Sequence, residues 1–244
     1  MSVRTIFAAA AMAAVTLASA NANARQLITN GGFETGDFTG WTPTAQLDSS
    51  GNLFIQSNSV GTTPLSGLPD QTNPSGGNFF AVSDQGGPGS YSLTQDFLVS
   101  GGSLKDVKVS FQLFANNWAG ANYPNGRDFN FSPNQNVEVD ILAGGADPFT
   151  NSPGDILAVL YGPGSDNLAG NPNPWTTYNF DLGILPTGTY QIRFAETDNQ
   201  GFFNMGVDNV SVTAAPEPAT WAMMLVGFGA LGLALRRRKP ILAA

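Results

Sequence analysis

Apolar side chains recur at every second position over most of the chain between residues 25 and 215. Val107, Val109 and Phe111 alternate with polar residues, and the segments 137–141 and 190–194 repeat the pattern. A period of two places successive side chains on opposite faces of a β-strand, whereas an amphipathic helix requires a period near 3.6. One-sided alternation in many short segments is typical of antiparallel sheets that bury one face. The pattern therefore predicts an all-β chain.

Turn-forming Gly, Pro, Asn and Ser residues separate these segments and fix the number of predicted strands at about ten. The predicted strands are Gln26–Thr29, Leu53–Gln56, Asn78–Val82, Tyr91–Leu98, Val107–Leu113, Val137–Ile141, Asp155–Tyr161, Tyr178–Leu182, Tyr190–Phe194 and Val210–Val212. Short strands with one apolar face bury that face by pairing two sheets. We therefore predict a two-sheet antiparallel sandwich of the jelly-roll form, flanked by an N-terminal signal helix and a single C-terminal transmembrane helix.

The first 24 residues have the composition of a secretory signal peptide. Arg4 supplies the positive charge, an apolar run follows from Ile6 to Ala18, and small residues alternate up to Ala24. This order of a cation, an apolar run and a small-residue cleavage site is the layout of an export signal. We predict cleavage after Ala24, so that the β-sandwich domain spans residues 25–214.

The C-terminal end has three parts in a fixed order. Pro216, Glu217 and Pro218 precede 17 uncharged and mostly apolar residues, 219–235, and a basic cluster follows, made of Arg236, Arg237, Arg238 and Lys239. A helix over the apolar run would be about 25 Å long, which is adequate for an inner membrane. Basic residues behind such a helix stay in the cytoplasm, so the preceding domain is expected on the outer side.

This tail, APEPATWAMMLVGFGALGLALRRRK, closely resembles the PEP-CTERM sorting signal of Gram-negative bacteria, which is also labelled an ice-binding protein C-terminal domain. We assign it residues 215–239, with a short tail at 240–244. The resemblance implies an exosortase as partner, transient anchoring in the inner membrane, and delivery to the cell surface or extracellular matrix. It also implies a link to exopolysaccharide and biofilm. The alternative is a plain membrane anchor that is never cut.

Composition excludes several kinds of chemistry. The chain contains no histidine and no cysteine, so a Ser-His-Asp triad, a cysteine nucleophile, a disulfide and the usual zinc sites are excluded. Residues 25–215 carry five basic and 17 acidic side chains, a net charge of −12. Such a surface repels polyanions, so nucleic acid is not an expected partner.

Three segments resemble the jelly-roll domain common in PEP-CTERM proteins, which is similar to family-4-type and family-22-type carbohydrate-binding modules. They are LITNGGFETGDFTGWT at 27–42, SLTQDFLV at 92–99 and VDNVSVT at 207–213. The resemblance implies a sandwich fold and an association with carbohydrate or exopolysaccharide.

A structural calcium site is expected where the opening segment meets the closing strand. Asp208 shares the alternation of Val210 and Val212, so it should point inward unless a bulge intervenes, and a buried carboxylate is costly without a cation. In the resembling modules, the residues that correspond to Glu34 and Asp208 help to bind Ca²⁺. Carbonyls near Gly31, together with Asp84, would complete an all-oxygen shell, which suits calcium. The alternative is an exposed Glu34 and a hydrogen-bonded Asp208.

The segment 115–135 is a long stretch without a predicted strand, and it combines aromatic rings with amides. Rings that stack on sugars and amides that bind hydroxyls suggest a glycan site. The candidate ligands are Trp118, Tyr123, Asn116, Asn117 and Arg127. The alternative is that these rings pack beneath the loop.

We predict a non-catalytic protein with no catalytic residues. Two other classes stay open: a structural matrix protein without a defined sugar ligand, and, more distantly, a polysaccharide-modifying enzyme. Glycoside hydrolysis needs only two carboxylates, and Glu138 and Asp140 lie two residues apart on one strand. Their positions on the polar face of that strand predict a solvated surface pair instead.

Overall fold

The computed structural model describes residues 24–70, 76–100, 105–162, 171–216 and 227–229. Residues 25–214 form one compact unit, distinct from the two ends of the chain. The predicted signal peptide and most of the predicted transmembrane segment lie outside the described residues. Among the described residues, no helix is long and apolar enough to span a membrane.

The described residues form eleven β-strands and almost no helix. In chain order the strands are β1 (Arg25–Gln26), β2 (Thr42–Ala45), β3 (Gly51–Ser57), β4 (Phe79–Gln85), β5 (Gly89–Val99), β6 (Lys105–Asn117), β7 (Gln135–Ala143), β8 (Ile156–Tyr161), β9 (Thr176–Leu185), β10 (Gly188–Asp198) and β11 (Phe203–Pro216). The all-β prediction is confirmed. Strand β2 was not predicted, because its sequence, TPTA, has no alternation.

The strands form two sheets whose order is that of a jelly roll. The front sheet has the order β3-β4-β11-β6-β9, with β1 added beside β11, and the back sheet has the order β2-β5-β10-β7-β8. Among the eight strands from β4 to β11, β4 lies beside β11 and β6 beside β9 in the front sheet, while β5 lies beside β10 and β7 beside β8 in the back sheet. This nested pairing of first with last strand, alternating between the sheets, is the jelly-roll arrangement. Pro43 lies in the edge strand β2, where its missing N–H removes no ladder bond.

The core lies between the sheets and is built by the predicted alternation. Phe194 of the back sheet meets Phe111 of the front sheet edge to face, with ring centroids 5.2 Å apart, and Trp41 packs on Phe194 at 6.0 Å. The same period also leaves apolar side chains on the outer side of the front sheet. There Phe80 and Phe114 form a second cluster with Val82, Phe54 and Trp175.

Candidate functional site

The opening segment of the domain, residues 27–34, closes against strand β11. The N–H of Leu27 donates to the carbonyl of Val212, and the N–H of Val210 donates to the carbonyl of Gly31, both at 2.8 Å. A Cβ on Gly31 would lie 1.9 Å from the Val210 carbonyl oxygen, so only glycine fits there. Phe33 is fully buried at a φ of 55° and packs on Trp41. Local turn chemistry and one buried ring therefore fix Glu34 beside the last strand.

A bulge in β11 determines on which side of the front sheet Asp208 lies. Met205 and Val207 face the core, and so do Val210 and Val212, which requires a change of parity between them. Asn209 supplies that change with a φ of 50°. Asp208 therefore does not point inward, because the alternation that it shares with Val210 is interrupted by a bulge, which is the exception that the sequence prediction allowed. Its side chain lies on the outer side of the front sheet and is buried there.

Two carboxylates flank Gly32 at this position. A Cβ on Gly32 would lie 3.7 Å from Asp208 Oδ1 and 3.8 Å from Glu34 Cγ. Burial raises the pKa of Asp208 to about 7, against a hydrogen bond from the Asn209 N–H that lowers it, and the charge of Glu34 raises it further. Glu34 Oε1 accepts from the N–H groups of Asn78 and Phe79 at 2.8 and 3.1 Å. Carboxylate groups of two acidic side chains therefore lie close together beside Gly32.

Asp84 does not join this pair. It lies five residues beyond Phe79 on β4, which is about 17 Å along a strand. Its carboxylate accepts from the N–H and hydroxyl of Ser66, and from Asn204 Nδ2. The structure therefore brings Glu34, Asp208 and Gly31 together and uses Asp84 to hold another loop. In the described part of the chain, no group of three or more carboxylate, histidine or cysteine side chains is placed to hold a metal.

A buried charge cluster lies on the outer side of the back sheet. Arg193 of β10 is opposite Asp140 of β7 and donates to its Oδ2 from Nε at 2.9 Å. Arg127 pairs with Glu138, whose Oε1 is 3.5 Å from an Arg193 nitrogen. Arg193 also donates to the Thr150 carbonyl at 2.8 Å. Burial raises the pKa of Asp140 to about 7 despite the Arg193 charge, which lowers it.

The expectation that Glu138 and Asp140 form a solvated pair is wrong. Asp140, Arg193 and Arg127 are 0%, 0% and 2% exposed. The polar positions of β7 and β10 do face away from the core, but the segments around Arg127 and Thr150 cover them. Alternation identifies the outer face of a strand and not whether loops cover that face.

The predicted glycan ligands are divided between buried and half-buried positions. Asn117 Nδ2 donates to the Ala121 carbonyl at 3.0 Å, and Asn116 Oδ1 accepts from the Asn173 N–H at 2.7 Å. Trp118 is half-buried and donates from Nε1 to Asn204. Tyr123 is half-buried too, and its backbone pairs with Gln135. Asn116, Asn117 and Arg127 thus serve contacts within the protein.

A groove lies elsewhere, across the outer side of the front sheet. It encloses about 310 Å³ between β6, β9 and β11, and the side chains that line it include Lys108, Ser110, Asn179, Asp181, Ser211 and Thr213. The Lys108 ammonium lies 3.0 Å from Asp181. Each residue occupies a polar position of an alternating strand. Sequence analysis missed the groove because alternation does not reveal which strands are neighbours in a sheet.

Comparisons with known proteins identify the C-terminal signal. Residues 214–239 match the family model of the PEP-CTERM protein-sorting motif. The chain therefore carries that motif, and Pro216, Glu217, Pro218, Arg236, Arg237, Arg238 and Lys239 lie within it. Of these, only Pro216 belongs to the described residues, as the last residue of β11. No curated protein matches the chain.

Several solved structures are similar to the β-sandwich. TmCBM61 in complex with beta-1,4-galactotriose shares 16% identity over 77% of this chain and 97% of its own, with a TM-score of 0.45. The K3 adhesin domain of Lys-gingipain from Porphyromonas gingivalis shares 15% identity over 78% and 99%, with a TM-score of 0.45. A Stig cyclase from Fischerella sp. TAU shares 18% identity over 80% and 100%, at 0.44. A binding module, an adhesin domain and an enzyme all occur here, so these similarities assign no activity to this chain.

Replacement of Arg193 by Met should destabilise the domain strongly. Asp140 would then stay buried beside Glu138 without its hydrogen-bonded cation, and breaking a buried pair from one side costs about 3–5 kcal/mol. The matched control is Lys108→Met, which breaks an exposed pair and should cost at most about 1 kcal/mol. Urea denaturation of the full-length chain in detergent measures both, and equal losses would contradict the buried pairing.

The stability of the metal-free protein should fall as the pH rises from about 4 to about 7. The Asp208 carboxyl keeps its proton up to a pKa of about 7 when folded, whereas it ionises near 3.8 when unfolded. In that window the folded state binds more protons, so raising the pH favours unfolding. In Asp208→Asn this contribution is absent.

We therefore expect the free energy of unfolding of wild type to fall relative to that of Asp208→Asn between pH 4 and pH 7. Both are measured with a chelator present. A difference that stays constant over this range would show that Asp208 ionises normally.

Proposed function

We propose that this chain is an exported protein, sorted and processed by an exosortase, whose β-sandwich associates without catalysis with carbohydrate at the cell surface or in the matrix. The sorting motif at residues 214–239 is the observation that supports export and processing by an exosortase. In this proposal residues 1–24 direct export, and the apolar run 219–235 anchors the chain in the inner membrane before cleavage.

The junction between domain and motif supports this division. Strand β11 ends at Pro216, the first residue of the Pro-Glu-Pro element, and Ala214 pairs with Arg25. The folded domain thus begins directly after the proposed signal cleavage site and ends where the motif begins. Both processing events would leave the sandwich complete.

The front-sheet groove is the best-supported glycan site. Its volume of about 310 Å³ lies at the lower end of the range for small-ligand sites. Its lining combines hydroxyls, an amide and one ion pair, which can bind the hydroxyls of a sugar. The net charge of −12 over residues 25–215 favours a neutral glycan over an acidic one. Trp118 and Tyr123, both half-buried, form a second candidate surface.

A structural matrix protein with no defined sugar ligand is the competing function. Polar groups at the groove already satisfy one another, since Gln26 Nε2 donates to the Ser211 hydroxyl at 2.8 Å and Lys108 pairs with Asp181. The aromatic residue of the groove, Phe180, is half-buried. We propose no catalytic role for Glu138 and Asp140, because two arginines pair with them.

We also propose that Glu34 and Asp208, with a carbonyl near Gly31, hold a structural Ca²⁺. The donor set fits, because oxygen atoms from carboxylates and carbonyls are the ligands that calcium takes. A cation there would offset the desolvation that raises the pKa of Asp208. It would bind the opening segment to β11 and so close the sandwich at this end.

Glu217→Ala should block processing. The Pro-Glu-Pro element offers the peptidase one charged side chain between two rigid residues, and removing the carboxylate removes the only charge in that element. Mass spectrometry of the C-terminus in the native host should show at least a tenfold lower fraction of cleaved protein. Asp181→Ala, an acidic substitution in the domain, should leave cleavage unchanged. Equal cleavage of Glu217→Ala and wild type would refute recognition of the motif.

Ser110→Trp should abolish glycan retention by filling the groove. Affinity electrophoresis of the detergent-purified chain in gels that contain neutral galactan, glucan or xylan measures retention. We expect at least a tenfold weaker interaction, about 1.4 kcal/mol. The matched control is Val159→Trp, which adds the same ring to an exposed position of the back sheet.

Other outcomes assign the function differently. Loss of retention in Trp118→Ala or Tyr123→Ala, with Ser110→Trp unaffected, would move the site to the second surface. Wild-type protein that no polysaccharide retains would favour the structural matrix function.

A further inference from the structure

Two turns, each of which connects the two sheets, line a small cavity at one end of the sandwich. The turn between β4 and β5 contributes Gly87 and Pro88, and the turn between β10 and β11 contributes Gly201 and Phe202. The cavity encloses about 160 Å³, and Asp198 lines it. This volume is about half the lower limit for sites that take drug-sized ligands, so the cavity is too small for a sugar ring.

The interior beneath this cavity is polar where a sandwich is normally apolar. Glu196 and Asp198 continue the inward face of β10 that Phe194 occupies, and Gln85 continues the inward face of β4 that Ala81 occupies. Tyr91 of β5 is opposite Glu196. All four polar side chains are buried, and none is more than 2% exposed.

Two oxygen atoms in this cluster have no hydrogen-bond partner within the described part of the chain. Asp198 Oδ1 and Gln85 Oε1 are buried, and neither has a hydrogen-bond partner among the described residues. Native proteins leave few such atoms, and an ion is one of the ordinary reasons for those that remain. The cavity is lined by Asp198 and supplies a path from solvent to that residue.

The electrostatics of the cluster also favour a cation. Burial raises the pKa of Asp198 to about 8, against a hydrogen bond from the Gly89 N–H that lowers it. Burial also raises the pKa of the Tyr91 hydroxyl, and the charges of Glu196 and Asp198 raise it further. No described salt bridge involves Asp198. Without a bound cation, the buried carboxyl groups at this end of the sandwich therefore have to be neutralised by protons.

We propose that this cluster is a second binding site for a divalent, oxygen-preferring cation such as Ca²⁺, held by the carboxylates of Asp198 and Glu196 and the carboxamide oxygen of Gln85. Water that enters through the cavity completes the coordination, since calcium takes six to eight oxygen ligands. Ser83 bonds Glu196 and accepts from the Met205 N–H, so the site lies on the inner side of the front sheet. Asp208 lies on the outer side of that sheet, which makes the two cation sites distinct.

Isothermal titration calorimetry with calcium chloride tests the proposal on the metal-free, full-length chain in detergent. In the background of Asp208→Asn, which removes the other proposed site, one calcium should still bind per chain. Adding Asp198→Asn to that background should weaken this binding at least tenfold, because it removes a charged ligand. Adding Asp181→Asn instead, which removes an exposed acid, should leave it unchanged.

Folding controls keep the test decisive. Asn closely imitates a protonated Asp, so Asp198→Asn should melt within a few degrees of wild type in chelator. Gln85→Leu removes only the neutral ligand and should also weaken calcium binding to Asp208→Asn protein. Absence of calcium binding in Asp208→Asn, or binding that Asp198→Asn and Gln85→Leu both leave unchanged, would overturn the second site. The number of calcium ions bound by Asp208→Asn protein, compared with wild type, instead tests the first site.

Discussion

The backbone hydrogen bond from the Val210 N–H to the Gly31 carbonyl joins the beginning of the domain to its last strand. It requires a glycine at position 31, because a Cβ would collide with the Val210 carbonyl. The same contact brings Glu34 beside Asp208, covers the outer side of β11, and places Arg25 opposite Ala214. The first residue after the proposed signal is therefore paired with the first residue of the sorting motif, so one end of the sandwich carries both junctions.

The distribution of the few cations decides the electrostatics of the sandwich. Residues 25–215 hold five basic side chains, and two of them, Arg127 and Arg193, are buried against Glu138 and Asp140. Asp198 and Asp208 are buried in other places and have no described salt bridge. Burial raises the pKa of both, to about 8 and about 7. A protein without histidine therefore has groups that titrate near neutral pH.

Prediction succeeded where one residue's neighbours in sequence decide its environment. The alternation in β6, β7, β9 and β10 identified the strands, and the core residues Val109, Phe111 and Phe194 face inward as expected. It failed where a segment outside the strand decides. The loops over Glu138 and Asp140 directly precede and follow β7, but the period of that strand does not reveal that they cover its outer face. One residue in left-handed conformation, Asn209, reversed the expected side of Asp208. Asn116 is buried against Asn173, which is 57 residues away, and Arg127 against Asn136 and Glu138 of the next strand.

The sequence by itself determined the all-β class, the jelly-roll expectation and the tripartite sorting tail, because each depends on residue order and a local period. The tertiary structure decided which polar faces are covered and which are open, that Asp84 lies far from Glu34, and that Asp198 lines a cavity beside Gln85. The physical reason is that a strand's period fixes only the side to which a residue points. Burial, partners and charge balance follow from which strands and loops pack against that side, and those contacts join residues distant in sequence.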